Sequence, residues 1–123
     1  MASNEQVVND FVAAWARLNV DELMTFFADD AVYHNIPMRP ATGKDSIRKV
    51  INSLLKGVTA IRFEVHHQAV SGNVVMNERT DYTEMGAKKL SLPVSGVFEI
   101  ENSKIKAWRD YFDMESFSKA LAG

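Results

Sequence analysis

Apolar residues recur at helical spacing through most of the first half of the chain. Intervals of three and four residues between apolar positions predict helices over residues 3–18, 21–27 and 44–56. Gly57 follows the third helix, at the position where a left-handed cap is expected. Between the second and third helices, the segment DAVYHNI predicts a strand that enters a loop bounded by prolines.

The pattern changes after Gly57, where apolar and polar residues alternate as they do in half-buried strands. Short turns join four such segments, VTAIRFEVHHQAV, VVMNERTDYTEM, LSLPVSGVFEI and IKAWRDYFD. They predict an antiparallel meander, in which Pro93 indicates an edge position or a bulge. A last short helix is predicted over residues 114–121. We therefore predict an α+β domain shaped as a cone, its N-terminal helices packed on a curved, mainly antiparallel mixed sheet that encloses an apolar pocket.

Length and composition limit the classes of function. A chain of 123 residues, 46% hydrophobic and 24% charged, predicts one globular domain over residues 1–123. A net charge of -2 with mixed signs argues against nucleic acid, and no apolar run is long enough for a membrane span. The chain has no cysteine, which excludes disulfides and thiolate chemistry. The start lacks the pattern of a secretory signal, so a cytoplasmic protein is expected.

Three strand-like segments each carry two polar residues at i, i+2 spacing. The pairs are Tyr33 with Asn35, Arg79 with Asp81, and Tyr111 with Asp113. Each pair shares one face of its strand, because strand side chains alternate between faces. If the three faces converge, two carboxylates beside one guanidinium can divide into an acid and a base. A tyrosine and an asparagine can then hold a water molecule between them.

Simpler interpretations of the same residues remain open at this point. Arg79 and Asp81 can form a surface ion pair that contributes about 0–1 kcal/mol. Asp113 can be the N-cap of the last helix. The three histidines, His34, His66 and His67, do not form a ligand set for a metal, so neither metal nor cofactor is expected.

The segments VYHNIP, NERTDYTEM and IKAWRDYFDM together resemble the limonene-1,2-epoxide hydrolase family, within the nuclear-transport-factor-2-like or SnoaL-like superfamily. The resemblance implies a cofactor-independent enzyme that adds water to an apolar terpene or cycloalkene epoxide in one step, giving a vicinal diol. It implies Asp113 as the base, Tyr33 and Asn35 as the residues that hold the water, and Asp81 as the acid. Arg79 would orient both aspartates, and Asp81 would need a raised pKa.

Two other functions fit the same fold. One is a ketosteroid-isomerase-like or SnoaL-like isomerase or cyclase, and the other is a non-catalytic protein that binds small molecules. A homodimer is also expected. On the fourth long strand Trp108 and Phe112 lie on the face opposite Asp113, so large apolar side chains would occupy the second face of the sheet, which a second copy would cover. The resemblance points to the same assembly. The expected partners are thus a small apolar epoxide, water and a second copy of the chain.

Overall fold

The computed structural model describes residues 2–122, which form four α-helices and a six-stranded sheet. The helices are α1 (Asn4–Ala14), α2 (Val20–Met24), α3 (Lys44–Leu55) and α4 (Met114–Ala122), with a 3-10 turn at Trp15–Arg17. The strands are β1 (Phe27–Asn35), β2 (Ala41–Thr42), β3 (Ala60–Ser71), β4 (Val74–Met85), β5 (Lys88–Glu101) and β6 (Lys104–Tyr111). Within the described residues, none of the helices combines the length and the apolar character needed to cross a membrane.

Local capping residues set the ends of the N-terminal helices. Ser3 Oγ accepts a hydrogen bond from the first turn of α1, and Asn19 Oδ1 does the same for α2. Gly57, just after α3, has a φ of +78°, which confirms the left-handed position predicted there. The second helix is shorter than predicted, because Phe27 already begins β1.

The sheet is mixed and runs in the order β2-β1-β6-β5-β4-β3. The last four strands form the predicted antiparallel meander, and β1 lies parallel to β6. The α+β architecture with a mainly antiparallel mixed sheet is therefore confirmed. The parallel contact matters for function, since it brings the residues at the end of β1 beside those at the end of β6.

Pro93 lies where β5 has only one neighbouring strand. It pairs with Thr80 of β4, whereas the pairing of β5 with β6 begins only at Ser95. An edge-like position was predicted for this proline, which cannot donate to a ladder of hydrogen bonds. The structure confirms it for this segment of β5.

The core is a cluster of aromatic rings between α1 and the concave face of the sheet. Phe11 contacts Trp108 edge to face, with ring centroids 5.0 Å apart. Phe98 and Tyr33 stack on the same indole at 5.4 and 4.2 Å. Trp108 is therefore an inward-facing core residue, so the prediction that it lies on the second, outer face of the sheet is wrong.

Candidate active site

The guanidinium of Arg79, in β4, lies at the centre of a buried polar cluster. Its Nε and Nη2 donate to the two carboxylate oxygens of Asp81 at 2.7 and 3.1 Å. Its Nη1 and Nη2 donate to the two oxygens of Asp110, in β6, at 3.1 and 2.5 Å. Each carboxylate is thus held by two parallel hydrogen bonds, a geometry that arginine provides and lysine does not.

Arg79 and Asp81 do not form the surface ion pair that the sequence left open. The side chain of Arg79 is 0% exposed and that of Asp81 is 15% exposed. The guanidinium also lies over the ring of Phe63, 4.7 Å from its centroid. A cation buried this completely needs partners of opposite charge, and the two carboxylates supply them.

Asp110 is a site residue that the sequence analysis missed. It accepts hydrogen bonds from Arg79 and also from Trp108 Nε1, at 2.6 Å. Trp108, Asp110 and Phe112 are two residues apart, so an extended chain puts all three on one face, with the carboxylate between two large apolar residues. That pattern was the available signal, since Trp108 is too large to be left outside the core.

Asp113 does not contact Arg79, and the prediction that it shares the pocket with Asp81 is wrong. Strand β6 ends at Tyr111, two residues earlier than predicted. Asp113 is exposed and accepts hydrogen bonds from the backbone N–H groups of Glu115 and Ser116, so it caps α4. The hydroxyl of Ser116 also donates to this carboxylate and holds the pKa of Asp113 below its usual value. The N-cap interpretation of Asp113 is therefore the correct one.

Tyr111, the other member of that predicted pair, is 45% exposed and lies on the convex face of the sheet. Arg109, on the same convex face, pairs with Glu99 at 2.6 Å. Neither residue belongs to the buried cluster around Arg79. Arg109 and Tyr111 of β6 thus face away from the site.

Tyr33 and Asn35, in β1, lie beside Asp110 through the parallel pairing of β1 with β6. Asn35 is the register partner of Asp110, and Tyr33 is that of Trp108. The Tyr33 hydroxyl donates to Asn35 Oδ1 at 3.3 Å, and both residues are buried. The structure therefore brings four of the five predicted site residues together, with Asp110 where Asp113 was expected.

The environment favours a protonated Asp81. Burial raises the pKa of Asp81 from 3.8 to about 6, against the opposing effect of Arg79 and with a further contribution from Asp110. Burial, together with the Asp110 carboxylate, also raises the pKa of the Tyr33 phenol, which therefore remains neutral. Up to a pH of about 6, an uncharged carboxylic acid is therefore available beside an uncharged phenol.

A cavity of about 390 Å³ opens between the helices and the concave face of the sheet. Asp81, Asp110, Tyr33 and Asn35 line one part of it, whereas Arg79 lies behind the two carboxylates. Much of the remaining wall is apolar and includes Ile61, Phe63, Leu90, Leu92, Val94 and Phe117. Other polar lining residues are Ser53, Lys56 and Thr83. A volume of this size accommodates a small organic molecule.

The sequence-family model of the limonene-1,2-epoxide hydrolase catalytic domain matches residues 2–122 of the chain. The chain belongs to this family. Epoxide hydrolase EphG of Mycobacterium tuberculosis is similar to this chain, with 29% identity over 114 residues that cover 93% of this chain and 76% of EphG. The structure of an M. tuberculosis LEH-like epoxide hydrolase has 28% identity and a TM-score of 0.84, covering 97% of this chain and 89% of the other.

The same fold also occurs in proteins outside this family name. A structure from Shewanella putrefaciens CN-32, described as a SnoaL-like polyketide cyclase, has a TM-score of 0.86 and 18% identity. The alignment covers 99% of this chain and 98% of that one. At this identity the likeness shows the fold alone, and the chemistry must be argued from the site.

Proposed function

We propose that this protein is an epoxide hydrolase that adds water to an apolar epoxide in one step and releases a vicinal diol. The observation that carries the proposal is the bridge made by Arg79 between two carboxylates that both line one cavity. Opening an epoxide with water requires a base at the attacking oxygen and an acid at the leaving oxygen. Two carboxylates with different surroundings meet that requirement.

Asp110 is the proposed base, with Tyr33 and Asn35 holding the water. A water molecule near Asp110 can accept and donate hydrogen bonds with the amide and the phenol beside it. As the water oxygen forms its bond to an epoxide carbon, Asp110 takes one of the water protons. No covalent intermediate with the protein forms in this step.

Asp81 is the proposed acid. Its proton passes to the epoxide oxygen as the carbon–oxygen bond of the ring breaks, so the product carries two neutral hydroxyl groups. After the step Asp110 is protonated and Asp81 is ionised, and exchange with solvent restores the starting state. Arg79 orients both carboxyl groups and remains a cation throughout.

The proposed substrates are cyclic hydrocarbons that carry an epoxide, such as terpene or cycloalkene oxides. The apolar wall of the cavity supports this class, because it provides few polar partners away from the two carboxylates. The epoxide oxygen would lie near Asp81, and the hydrocarbon would contact Phe63 and Leu92 on the neighbouring strands. The residues named here carry out the reaction without a metal or cofactor.

The test is formation of diol from limonene oxide or cyclohexene oxide by wild-type protein and two variants from the same segment. Asp110→Asn should lose about 10²–10⁴-fold in kcat, the range for removal of a general base. Asp113→Asn should retain near wild-type activity, since this residue only caps α4. Equal activity of the two variants would remove Asp110 from the mechanism.

Single turnover in ¹⁸O-labelled water distinguishes one-step hydrolysis from attack by a carboxylate of the protein. The label should appear in the diol and not in the protein.

Turnover of a ketosteroid in place of either epoxide would support the isomerase alternative, which needs only abstraction of a carbon-bound proton. Tight binding of apolar ligands without any turnover would support a binding protein.

We also propose that the protein is a homodimer joined through the convex face of the sheet. The support is a groove on this face, lined in part by Ala69, Met76, Val97 and Tyr111, with Met76 and Tyr111 half exposed. Trp108 does not contribute, because it faces the core. Light scattering should give the mass of a dimer for wild type and of a monomer for Met76→Glu. A wild-type monomer would refute this proposal.

A further inference from the structure

The guanidinium of Arg79 has five N–H groups, and each of them has an acceptor. Four donate to the carboxylate oxygens of Asp81 and Asp110. The fifth, on Nη1, donates to Oδ1 of Asn77 at 3.3 Å. Asn77 is 5% exposed, lies two residues before Arg79 in β4, and is not among the lining residues of the cavity. It therefore touches the arginine without access to a substrate in that cavity.

We propose that Asn77 and Gly96 are positioning residues that fix how Arg79 divides its hydrogen bonds between the two carboxyl groups of the site. The inference rests on the proposed function for its catalytic consequence, but its geometry stands independently. Asn77 supplies an uncharged acceptor for the one N–H group that neither carboxylate uses. Gly96 supplies the space in which the guanidinium lies.

Gly96, in β5, pairs with Asn77 on one side and with Asp110 on the other. A Cβ atom at this position would lie 2.5 Å from Arg79 Nη1, 3.0 Å from Asn77 Oδ1 and 3.0 Å from Asp110 Oδ1. The φ of Gly96 is not in the left-handed region, so space and not backbone conformation requires the glycine. Any side chain there would displace Nη1, which donates hydrogen bonds to Asn77 and Asp110 and belongs to a fully buried side chain.

Asn77 is itself held in place from the protein surface. Its Nδ2 donates to Oε1 of Gln68 in β3 at 3.2 Å. Nε2 of Gln68 donates to Asn9 and Glu5 of α1 at 2.8 and 3.1 Å. This chain of hydrogen bonds determines which atom of the Asn77 amide faces Arg79, because the Nδ2 group is already engaged. The acceptor therefore points toward the guanidinium.

The neutrality of Asn77 matters because few other charges reach Asp81. Arg79 lies beside it on β4, Asp110 on β6, and the neutral phenol of Tyr33 on β1. Its register partners are Phe63 on β3 and Leu92 on β5, both apolar. From the helices, Lys56 at the end of α3 is the titratable residue that lines the cavity, and α4 contributes Phe117, Ala120 and Leu121.

The experiment is a ¹³C NMR titration of the Asp81 carboxyl group in wild type, Asn77→Asp and Asn77→Leu. A carboxylate at position 77 adds a like charge behind Arg79, so the midpoint of Asp81 should rise by on the order of one pH unit. Asn73→Asp, the same change in an exposed turn, should leave the midpoint unchanged. Asn77→Leu leaves a buried N–H group without an acceptor and should lower kcat/KM for the epoxide about tenfold.

Gly96→Ala provides a second, independent test. Its control is Ser95→Ala, a change at the adjacent exposed position. The added methyl group should weaken the hold of Arg79 and raise the Asp81 midpoint, whereas Ser95→Ala should not. An unchanged midpoint in both Asn77→Asp and Gly96→Ala would overturn the proposal, as would equal midpoints in Asn77→Asp and its Asn73→Asp control. If wild type does not hydrolyse epoxides but the midpoints move as stated, the proposed function fails and the positioning role stands.

Discussion

The protonation of Asp81 has a consequence for stability that can be measured without a substrate. The native protein keeps this proton up to a pH of about 6, whereas the unfolded chain releases it near 3.8. Between these values the native state binds more protons than the unfolded state, so the free energy of unfolding falls as pH rises. At about 1.4 kcal/mol per pH unit, the loss from this one group is about 3 kcal/mol, complete above about pH 7.

The assay compares denaturant unfolding of wild type and Asp81→Asn between pH 4 and pH 8. Asparagine imitates the protonated acid and does not titrate, so the variant should not lose this part of its stability. Carboxylates whose pKa is lowered, such as Glu22 and Asp30, have the opposite pH dependence but occur in both proteins. The difference between the two curves therefore cancels these shared groups and reports Asp81 together with the groups coupled to it. As pH rises, it should move by about 3 kcal/mol in favour of the variant.

Two results would refute this reasoning. Parallel curves would mean that Asp81 titrates alike in native and unfolded protein. A difference that moves in favour of wild type as pH rises would mean that attraction to Arg79 outweighs burial. In that case the pKa of Asp81 would lie below its ordinary value of 3.8, and the group would be unsuited to protonate an epoxide.

Three further substitutions test other contacts of the site and its surroundings. Trp108→Phe removes a hydrogen bond to the Asp110 carboxylate, worth about 1.5–3 kcal/mol, and also removes part of a core ring. The free energy of unfolding should therefore fall by at least that amount, and an unchanged value would deny the contact a role. Arg79→Lys keeps the charge but loses the paired hydrogen bonds, so kcat should fall strongly while circular dichroism shows a folded protein; near wild-type kcat would contradict the bridge. Asp113→Ala should lower the melting temperature by removing the cap of α4 and leave kcat unchanged, whereas a loss of kcat would return Asp113 to the site.

Periodicity was sufficient to predict the helices, the meander and the α+β class, because each depends on local alternation of apolar and polar residues. It also indicated that Arg79 and Asp81 share one face of a strand. It did not distinguish Asp110 from Asp113, because aspartate suits both a buried ion pair and a helix N-cap. The end of β6 at Tyr111 decides between them, because Asp110 then lies within the strand and Asp113 directly precedes α4, which begins at Met114.

The convergence of the site depends on contacts between distant segments, which spacing within one strand does not report. Asn35 meets Asp110 only because β1 runs parallel to β6, a pairing between residues far apart in the sequence. The role of Gly96 is similarly hidden, since a glycine in a strand becomes informative only when its neighbours are known. Local patterns thus identified the candidate chemistry, and tertiary structure determined which residues meet.

The different partners of Asp81 and Asp110 explain how one arginine can serve an acid and a base. If both carboxyl groups were ionised, the buried cluster would carry a net negative charge, which burial disfavours. One proton removes that charge, and the two carboxyl groups differ in their hydrogen-bond donors. Asp110 accepts a hydrogen bond from Trp108 in addition to those from Arg79, whereas within residues 2–122 Asp81 accepts only from Arg79. Donors stabilise the ionised form, and Asp81, which has fewer of them, is the carboxyl group whose pKa burial raises, as the role of acid proposed for it requires.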